Sequence, residues 1–381
     1  MPYNIDPRQQ AVRDEVKAFA DKHIYPNSEQ LDRMAEPRQF PKDLYRIIGE
    51  AGYIGYAMPK DLGGQGKSNL EYITLVEELC YHDPAIGLLC AVGELATHPI
   101  VHYASDEQKK KYVPDCASGR RVPAFVLTEP EAGSDAANQK TVAVDKGDHY
   151  VINGEKIFIM HGDVADLGVL FCRIEGQPKM STFIVETNQP GWQARTLRNK
   201  MGMRAATTGG IVLKDVKVPK QNLLGDIGKG FRYAMGTLDG ARIGVAAQGV
   251  GLAQRALDEA CTRAKARQAF GAPIAKLQAI QWMIADMSTR LEAARCLTYK
   301  AVMLQDQGQK FTLEASHAKL FASETARFCI DRCMQIWGGY GFIGEFSPIE
   351  KLYRDQRVLE IYEGTSEVQR LVIAANVLGA R

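Results

Sequence analysis

Apolar residues recur at helical spacing over about the first 120 residues, alternate with polar ones from about 121 to 235, and return to helical spacing from 236 to the end at 381. In the first stretch Val12, Val16 and Phe19 share one face, and Asp6-Pro7 supplies an N-cap followed by proline at the first helical position. Leu44, Ile47 and Ile48 in "FPKDLYRIIGEAG" repeat the pattern, with Gly49 or Gly52 as the stop. Ser68-x-x-Glu71 and Ser105-x-x-Gln108 are capping boxes. In the second stretch "LGVLFCRI", "STFIVET" and "IVLKDVKVP" read as strands. "YVINGEKIFI" reads as two strands about an Asn153-Gly154 turn, a strong short hairpin signal. In the third, "ARIGVAAQGVGLAQRALDEACTRAKA" has the small residues that closely packed helices require, and Leu277, Ile280, Ile284, Met287 and Leu291 form one stripe. The pattern predicts an α+β multidomain chain: a helical domain over 1–120, a β domain over 121–235 and a helical domain over 236–381.

Composition narrows the class. At 45% hydrophobic residues and a mean hydropathy of −0.23 the chain reads as soluble and globular. The longest apolar candidate, "AIGLLCAVG", stops at Glu94, short of the roughly 18 residues of a membrane span. The start, "MPYNIDPRQQ", lacks the form of a targeting leader, so a cytoplasmic protein with no membrane association is expected. A net charge of +2 with no basic stripe argues against nucleic acid. Eight cysteines without a C-x-x-C read as reduced thiols, and His98 and His102 lack the H-E-x-x-H frame, so no metal is assigned.

Three loops carry candidate chemistry. "GDIGKG" at 225–230 has the glycines of a phosphate loop but no βαβ context, which disfavours a nicotinamide cofactor. "AFVLTEPEAGSD" at 124–135 runs a strand into a turn that can present hydroxyls and backbone N–H groups to a polar ligand. "QIWGGYG" at 335–341 offers a glycine pair for close backbone approach. A fourth stretch, "IYEGTSEVQR" at 361–370, sets a lone acid, Glu363, ahead of glycine and a Ser366-x-x-Gln369 capping pattern.

"LTEPEAGSD", "RQAFG…LQAIQ", "QIWGGYGF" and "IYEGTSEVQR", in that order and spacing, closely resemble the acyl-CoA dehydrogenases over essentially the whole chain. The resemblance implies a helical domain, a barrel-like β domain and a C-terminal four-helix bundle, with FAD between the last two. Phe125, Leu127, Thr128, Gly133 and Ser134 would line the flavin and pyrophosphate, with Phe158, Ile159 and Met160 against the ring. Arg267, Phe270, Gln278, Gln335, Gly338 and Gly339 would reach the FAD of a neighbouring subunit, and Thr365 and Glu367 would also touch FAD. Asp239, Arg242, Ser134 and Gly364 would hold the acyl-CoA. Glu363 matches the family's catalytic base, taking the α-proton as hydride leaves the β-carbon for the flavin. The sharing of sites implies a homo-oligomer, expected to be a homotetramer, with an electron-transferring flavoprotein as redox partner.

The chain departs from the family in places. Phe158-Ile159-Met160-His161 stands where Trp-Ile-Thr-Asn is usual, so a hydroxyl at the flavin edge is replaced by a thioether. Lys214 stands in "LKD" where "FED" is common, and the sequence offers no account of it. Some relatives carry the base just before the arginine of "LDGAR"; here that residue is Ala241, leaving Glu363. Glu94 interrupts the run that by resemblance passes over the acyl tail. It is read either as a helix-end glutamate or as a pocket residue for a polar or cyclic acyl group, including a second base for 1,4-type dehydrogenation of a cyclic enoyl-CoA. A glutaryl-CoA-type dehydrogenase, an acyl-CoA oxidase and a flavin-binding scaffold are competing readings of the same resemblance.

Overall fold

The computed structural model describes residues 6–379. Six helices come first: α1 (Pro7–Phe19), which passes through a π-helical turn into α2 (Tyr25–Arg33), then α3 (Lys42–Glu50), α4 (Asn69–His82), α5 (Pro84–Tyr103) and α6 (Asp106–Ala117). Asp6, Ser68 and Ser105 each cap the helix they precede, and all three caps close a reciprocal box with the residue at N3. Gly52, at φ +80°, stops the chain after α3; Gly49 lies inside that helix, where a Cβ would press into the backbone of Ser118 at 2.4 Å.

Helix α5 corrects the hydropathy reading. Over its 20 residues it is long and apolar enough to cross a membrane, but 72% of its apolar window is buried within the protein, where Leu88, Leu89 and Cys90 join the core. Glu94 does not end it; the helix continues through Thr97 and Ile100 to Tyr103.

The middle of the chain forms one mixed sheet: β1 (Pro123–Val126), β2 (Val142–Asp145), β3 (His149–Met160), β4 (Leu167–Ile174), β5 (Met180–Glu186), β6 (Trp192–Thr196), β7 (Thr208–Pro219) and β8 (Leu223–Leu224). Strands β6-β7-β3-β2-β4-β5-β8 are neighbours in that order, and β1 lies parallel to β4. The expected Asn153-Gly154 hairpin is absent. Strand β3 runs straight through both residues, and the register against β7 slips there by a bulge. The physical reason is local. Gly154 passes so close to Thr141 that a Cβ would meet its hydroxyl at 2.3 Å, and the Asn153 side chain pairs with Asp215 on β7 instead of folding into a turn. The turn between β2 and β3 is made at Gly147, φ +92°.

Helix α7 (Gly230–Ala266) opens the last part six residues ahead of the expected 236, its buried face already carried by Gly230, Tyr233 and Ala234. It packs with α8 (Gln278–Asp306) and α9 (Thr312–Trp337), and short α10 (Gly339–Phe342) and α11 (Ile349–Asp355) lead to α12 (Ser366–Leu378). Gly249 lets α9 approach α7 closely, and Gly251 does the same for α4.

A buried ion network ties the parts together. Arg354 on α11 pairs with Asp32 on α2 at 2.6 Å and with Glu350 at 2.8 Å. Its neighbour Lys351 bridges Asp83, at the start of α5, and Asp355. Asp355 in turn accepts the backbone N–H of Met203 from the β-domain side.

Candidate active site

Between a 3-10 turn, Gln356–Glu360, and α12, the chain reverses at Glu363 (φ +54°) and Gly364 (φ +89°). A glutamate in the left-handed region is strained and persists only when its surroundings fix it. Lys319 Nζ, from α9, donates to the Gly364 carbonyl at 2.8 Å. Gln369 Nε2 donates to the same carbonyl at 2.9 Å and to that of Glu363 at 3.2 Å. The expected Ser366-x-x-Gln369 box is therefore not formed. Thr365 is the N-cap, accepting from the Val368 N–H at 3.2 Å, and Gln369 turns back to clamp the loop.

Glu363 is half-buried. Burial pushes its pKa up to about 7, against the opposing charges of Lys319 and Arg242. Arg242 is buried and paired with Asp239 at 2.6 Å one turn away on α7, and the Thr312 hydroxyl holds the other Asp239 oxygen at 2.7 Å. Arg242 Nε has no partner among the described residues. Next to the acid, the Tyr362 hydroxyl bonds to Gln248 of α7. The structure thus brings Glu363, Gly364, Arg242 and Asp239 to one place.

Glu94 lies within α5. Burial alone pushes its carboxyl up to about 7, and its neighbours include the Tyr72 phenol and the Cys90 thiol. None of the hydrogen bonds or ion pairs among the described residues reaches it.

The residues expected at FAD fall into two groups. On the β domain, Phe125 packs on Phe171, Leu127 is buried, and Thr128 leads into a tight turn closed by Glu129 and Ala132, after which Gly133 and Ser134 stand exposed. A bulge in β3 turns Phe158 outward at φ +57°, leaving the residue 66% exposed. The same bulge sends the Ile159 side chain into the sheet core, 2% exposed, so only its backbone can meet a ring. Met160 is partly buried, and its sulfur accepts the Thr208 hydroxyl at 3.1 Å. Thr365 and the exposed Glu367 stand at the start of α12.

The second group lies at the far end of α7, about 36 Å along the helix from Arg242. A cavity of about 490 Å³ there is lined by Arg263, Arg267, Trp337, Gly338 and Gly339 among others. Phe270, 94% exposed, tips a small hairpin beside it. Gln335 and Gln278 lie at the neighbouring ends of α9 and α8.

These surfaces fit FAD. A bare aromatic ring beside a glycine–serine loop suits a planar heterocycle. An arginine pair beside two glycines suits a pyrophosphate: Arg263 Nε lacks a partner among the described residues, and a Cβ on Gly338 or Gly339 would meet nothing within 4 Å.

Helical segments before and after a β sheet, with surfaces that suit a flavin, are the features of a flavoprotein oxidoreductase. The comparisons give the family. Residues 6–120, 124–216 and 228–378 match the N-terminal, middle and C-terminal domains of acyl-CoA dehydrogenase. The chain is 43% identical to a 3-(aryl)acrylate reductase of Clostridium sporogenes, covering 97% of this chain and 98% of that one. It is 42% identical to a short-chain specific acyl-CoA dehydrogenase of Clostridium acetobutylicum, covering 99% and 100%. A chain in a solved structure described as "Electron transferring flavoprotein of Acidaminococcus fermentans: Towards a mechanism of flavin-based electron bifurcation" is 41% identical, with a TM-score of 0.95 and coverage of 99% and 100%. The protein belongs to the acyl-CoA dehydrogenase family and is an FAD-dependent oxidoreductase.

Sequence pattern points to neither Lys319 nor Arg263, and it gives Gln369 a capping role in place of the clamp. Of the three, Lys319 alone has a visible signal: it is a cation on the buried stripe formed by Ala315, Ala318, Ala322 and Ala326.

Proposed function

We propose that the protein desaturates a short acyl-CoA between Cα and Cβ, giving a 2,3-enoyl-CoA, with Glu363 as the base. The observation that carries this reading is the Glu363 carboxyl, raised to about 7 in a strained loop between Lys319 and Arg242. Glu363 removes the α-proton, and the electron pair left on Cα forms the new double bond. FAD, when bound, supplies the acceptor for the hydride that leaves Cβ. Arg242 and Asp239, with Ser134 and Gly364, hold the thioester and its CoA. A carboxyl near 7 is populated in both forms at neutral pH, so the same residue serves reduction as well as oxidation. That accords with a relative named as a reductase. A flavin scaffold without activity would have no use for such an acid.

The α7-end group stands at the opposite end of α7 from Arg242, and the resemblance gives it to the FAD of a neighbouring copy. That supports a homo-oligomer, and we take it to be a tetramer in which each FAD spans two copies. The exposed Leu371, Val377 and Leu378 of α12 are apolar surface such an assembly could cover. An electron-transferring flavoprotein is the proposed acceptor, supported by the relative solved in that context. Eight unpaired thiols accord with the cytoplasm. The direct test is anaerobic bleaching of the flavin absorbance by a panel of acyl-CoAs. Reduced enzyme should persist in air; rapid peroxide release with substrate would favour an oxidase.

Glu94 supports a second, finer reading. An uncompensated carboxyl is costly beside a plain alkyl tail and suits a tail that is polar or carries an acidic ring C–H. The substrate class is then a branched or cyclic acyl-CoA, such as a cyclohexane- or cyclohexene-carboxyl thioester, and Glu94 could act as second base in a 1,4-type reaction. A glutaryl tail is the poorer fit, since its carboxylate would meet an acid. Glu94→Gln should lose activity selectively on one substrate class while butyryl-CoA turnover is spared. Equal turnover on straight, branched and cyclic thioesters would return Glu94 to a structural role.

A further inference from the structure

We propose that Lys319 is a positioning residue for the base: its ammonium anchors the carbonyl of Gly364, one residue past Glu363, and sets a positive charge beside that loop. The inference rests on the reading of Glu363 as the base.

The geometry is specific. Lys319 is 0% exposed, two turns into α9, on a buried stripe where Ala315, Ser316, Ala318, Ala322 and Ser323 surround it. A lysine buried there is costly unless it is compensated. The one hydrogen bond its Nζ makes among the described residues is to Gly364. That bond and the two from Gln369 hold the left-handed turn that aims Glu363. Without the ammonium, the Gly364 carbonyl keeps Gln369 but loses its charged donor.

The electrostatics act in the same direction. Burial brings the Lys319 pKa down to about 8, opposed first by Glu363. Lys319 is in turn the largest charge favouring the ionised form of Glu363. The other groups facing the site are few. Arg242 of α7 is already committed to Asp239. Tyr362, in the same segment as Glu363, is engaged by Gln248. Glu360 is held by Arg327 and Arg357, and Glu367 is exposed on α12. Cys80 of α4 acts on Tyr362 rather than on the base. Lys319 is therefore the cation not already neutralised by another carboxylate.

The test uses the FAD-loaded enzyme with Lys319→Met, which nearly conserves volume, and Lys319→Gln, which keeps a donor for Gly364 but no charge. The rate of flavin bleaching by butyryl-CoA is followed against pH, beside Glu363→Gln. Both Lys319 variants should move the midpoint upward by about one pH unit or more, with rates approaching the parent's at the alkaline end. A Met profile superimposed on the parent's, with Glu363→Gln inactive, overturns the role of Lys319 and leaves the base intact. Bleaching by Glu363→Gln at the parental rate instead overturns the base itself. Infrared titration of the Glu363 carboxyl, as the difference between parent and Glu363→Gln, reads the coupling in unsubstituted Lys319 protein should both Lys319 variants fail to fold. The Glu363 carboxylate band should shift a second time as Lys319 loses its proton, and a single-step titration overturns the proposal.

Discussion

Glu363→Gln should lower the rate of flavin bleaching by an acyl-CoA by about 10²–10⁴-fold, the usual contribution of a general base, while FAD stays bound. Glutamine keeps the shape of the side chain, and the bonds from Lys319 and Gln369 go to backbone carbonyls that it does not touch. In the parent the rate should climb as pH rises through about 7, where the carboxyl ionises. Stability should respond with the opposite sign. A carboxyl raised in the folded state holds its proton at pH values where the unfolded chain has released it. The native state then binds more protons than the unfolded state, and stability falls as pH rises between the ordinary carboxylate range and about 7. Glu363→Gln should therefore melt higher than the parent at pH 8, with the gap closing in acid. Near-parental bleaching by the variant would refute the assignment, and an identical melting difference at both pH values would refute the raised carboxyl.

Lys156→Met should destabilise the protein by about 3–5 kcal/mol, the usual result of removing one partner from a buried ion pair. Lys156 is 0% exposed, and its ammonium reaches Glu129 at 2.9 Å and the carbonyls of Leu127 and Phe171 at 2.8 and 2.7 Å. Glu129 also accepts the N–H groups of Lys140 and Thr141. Although burial pushes the Glu129 carboxyl upward, Lys156 and these donors together hold it below the ordinary range. The pair lies beneath the turn carrying Gly133 and Ser134, so FAD occupancy should fall along with the melting temperature. Adding Glu129→Gln to Lys156→Met should recover part of the loss, because it removes the stranded charge. Unchanged melting and flavin content in the single variant would show that the pair does not support the turn.

The helices were legible because their signals are local. Asp6, Ser68 and Ser105 each bond within one turn, and the apolar period marks the buried face. The Asn153-Gly154 pair misled because the same residues serve a bulge when a neighbouring strand, here at Thr141, leaves no room for a side chain. The acid at 363 could be found from its motif, whereas its pairing with Lys319 could not. Lys319 is 44 residues earlier in the chain, and only the packing of α9 on the last loop brings them together. Ile159 shows a similar limit, since one bulge residue decides which of Phe158 and Ile159 faces out. Gln369 has the right spacing for a cap, and only its orientation shows that it holds the loop instead.

The ion network of Asp32, Asp83, Lys351, Arg354 and Asp355 bears on how such chains can be recombined. The family's three segments meet in sequence at loops that look like natural joints for exchange between relatives. Charge pairing does not respect those joints. Two of the network's acids come from the N-terminal segment, the remaining acid and both cations from the C-terminal one, and Asp355 accepts an amide from the middle one. A chimera that swaps one segment inherits half of a buried charge balance unless the donor carries matching residues. Shuffling at these joints should yield folded proteins mainly where these five positions travel as a set.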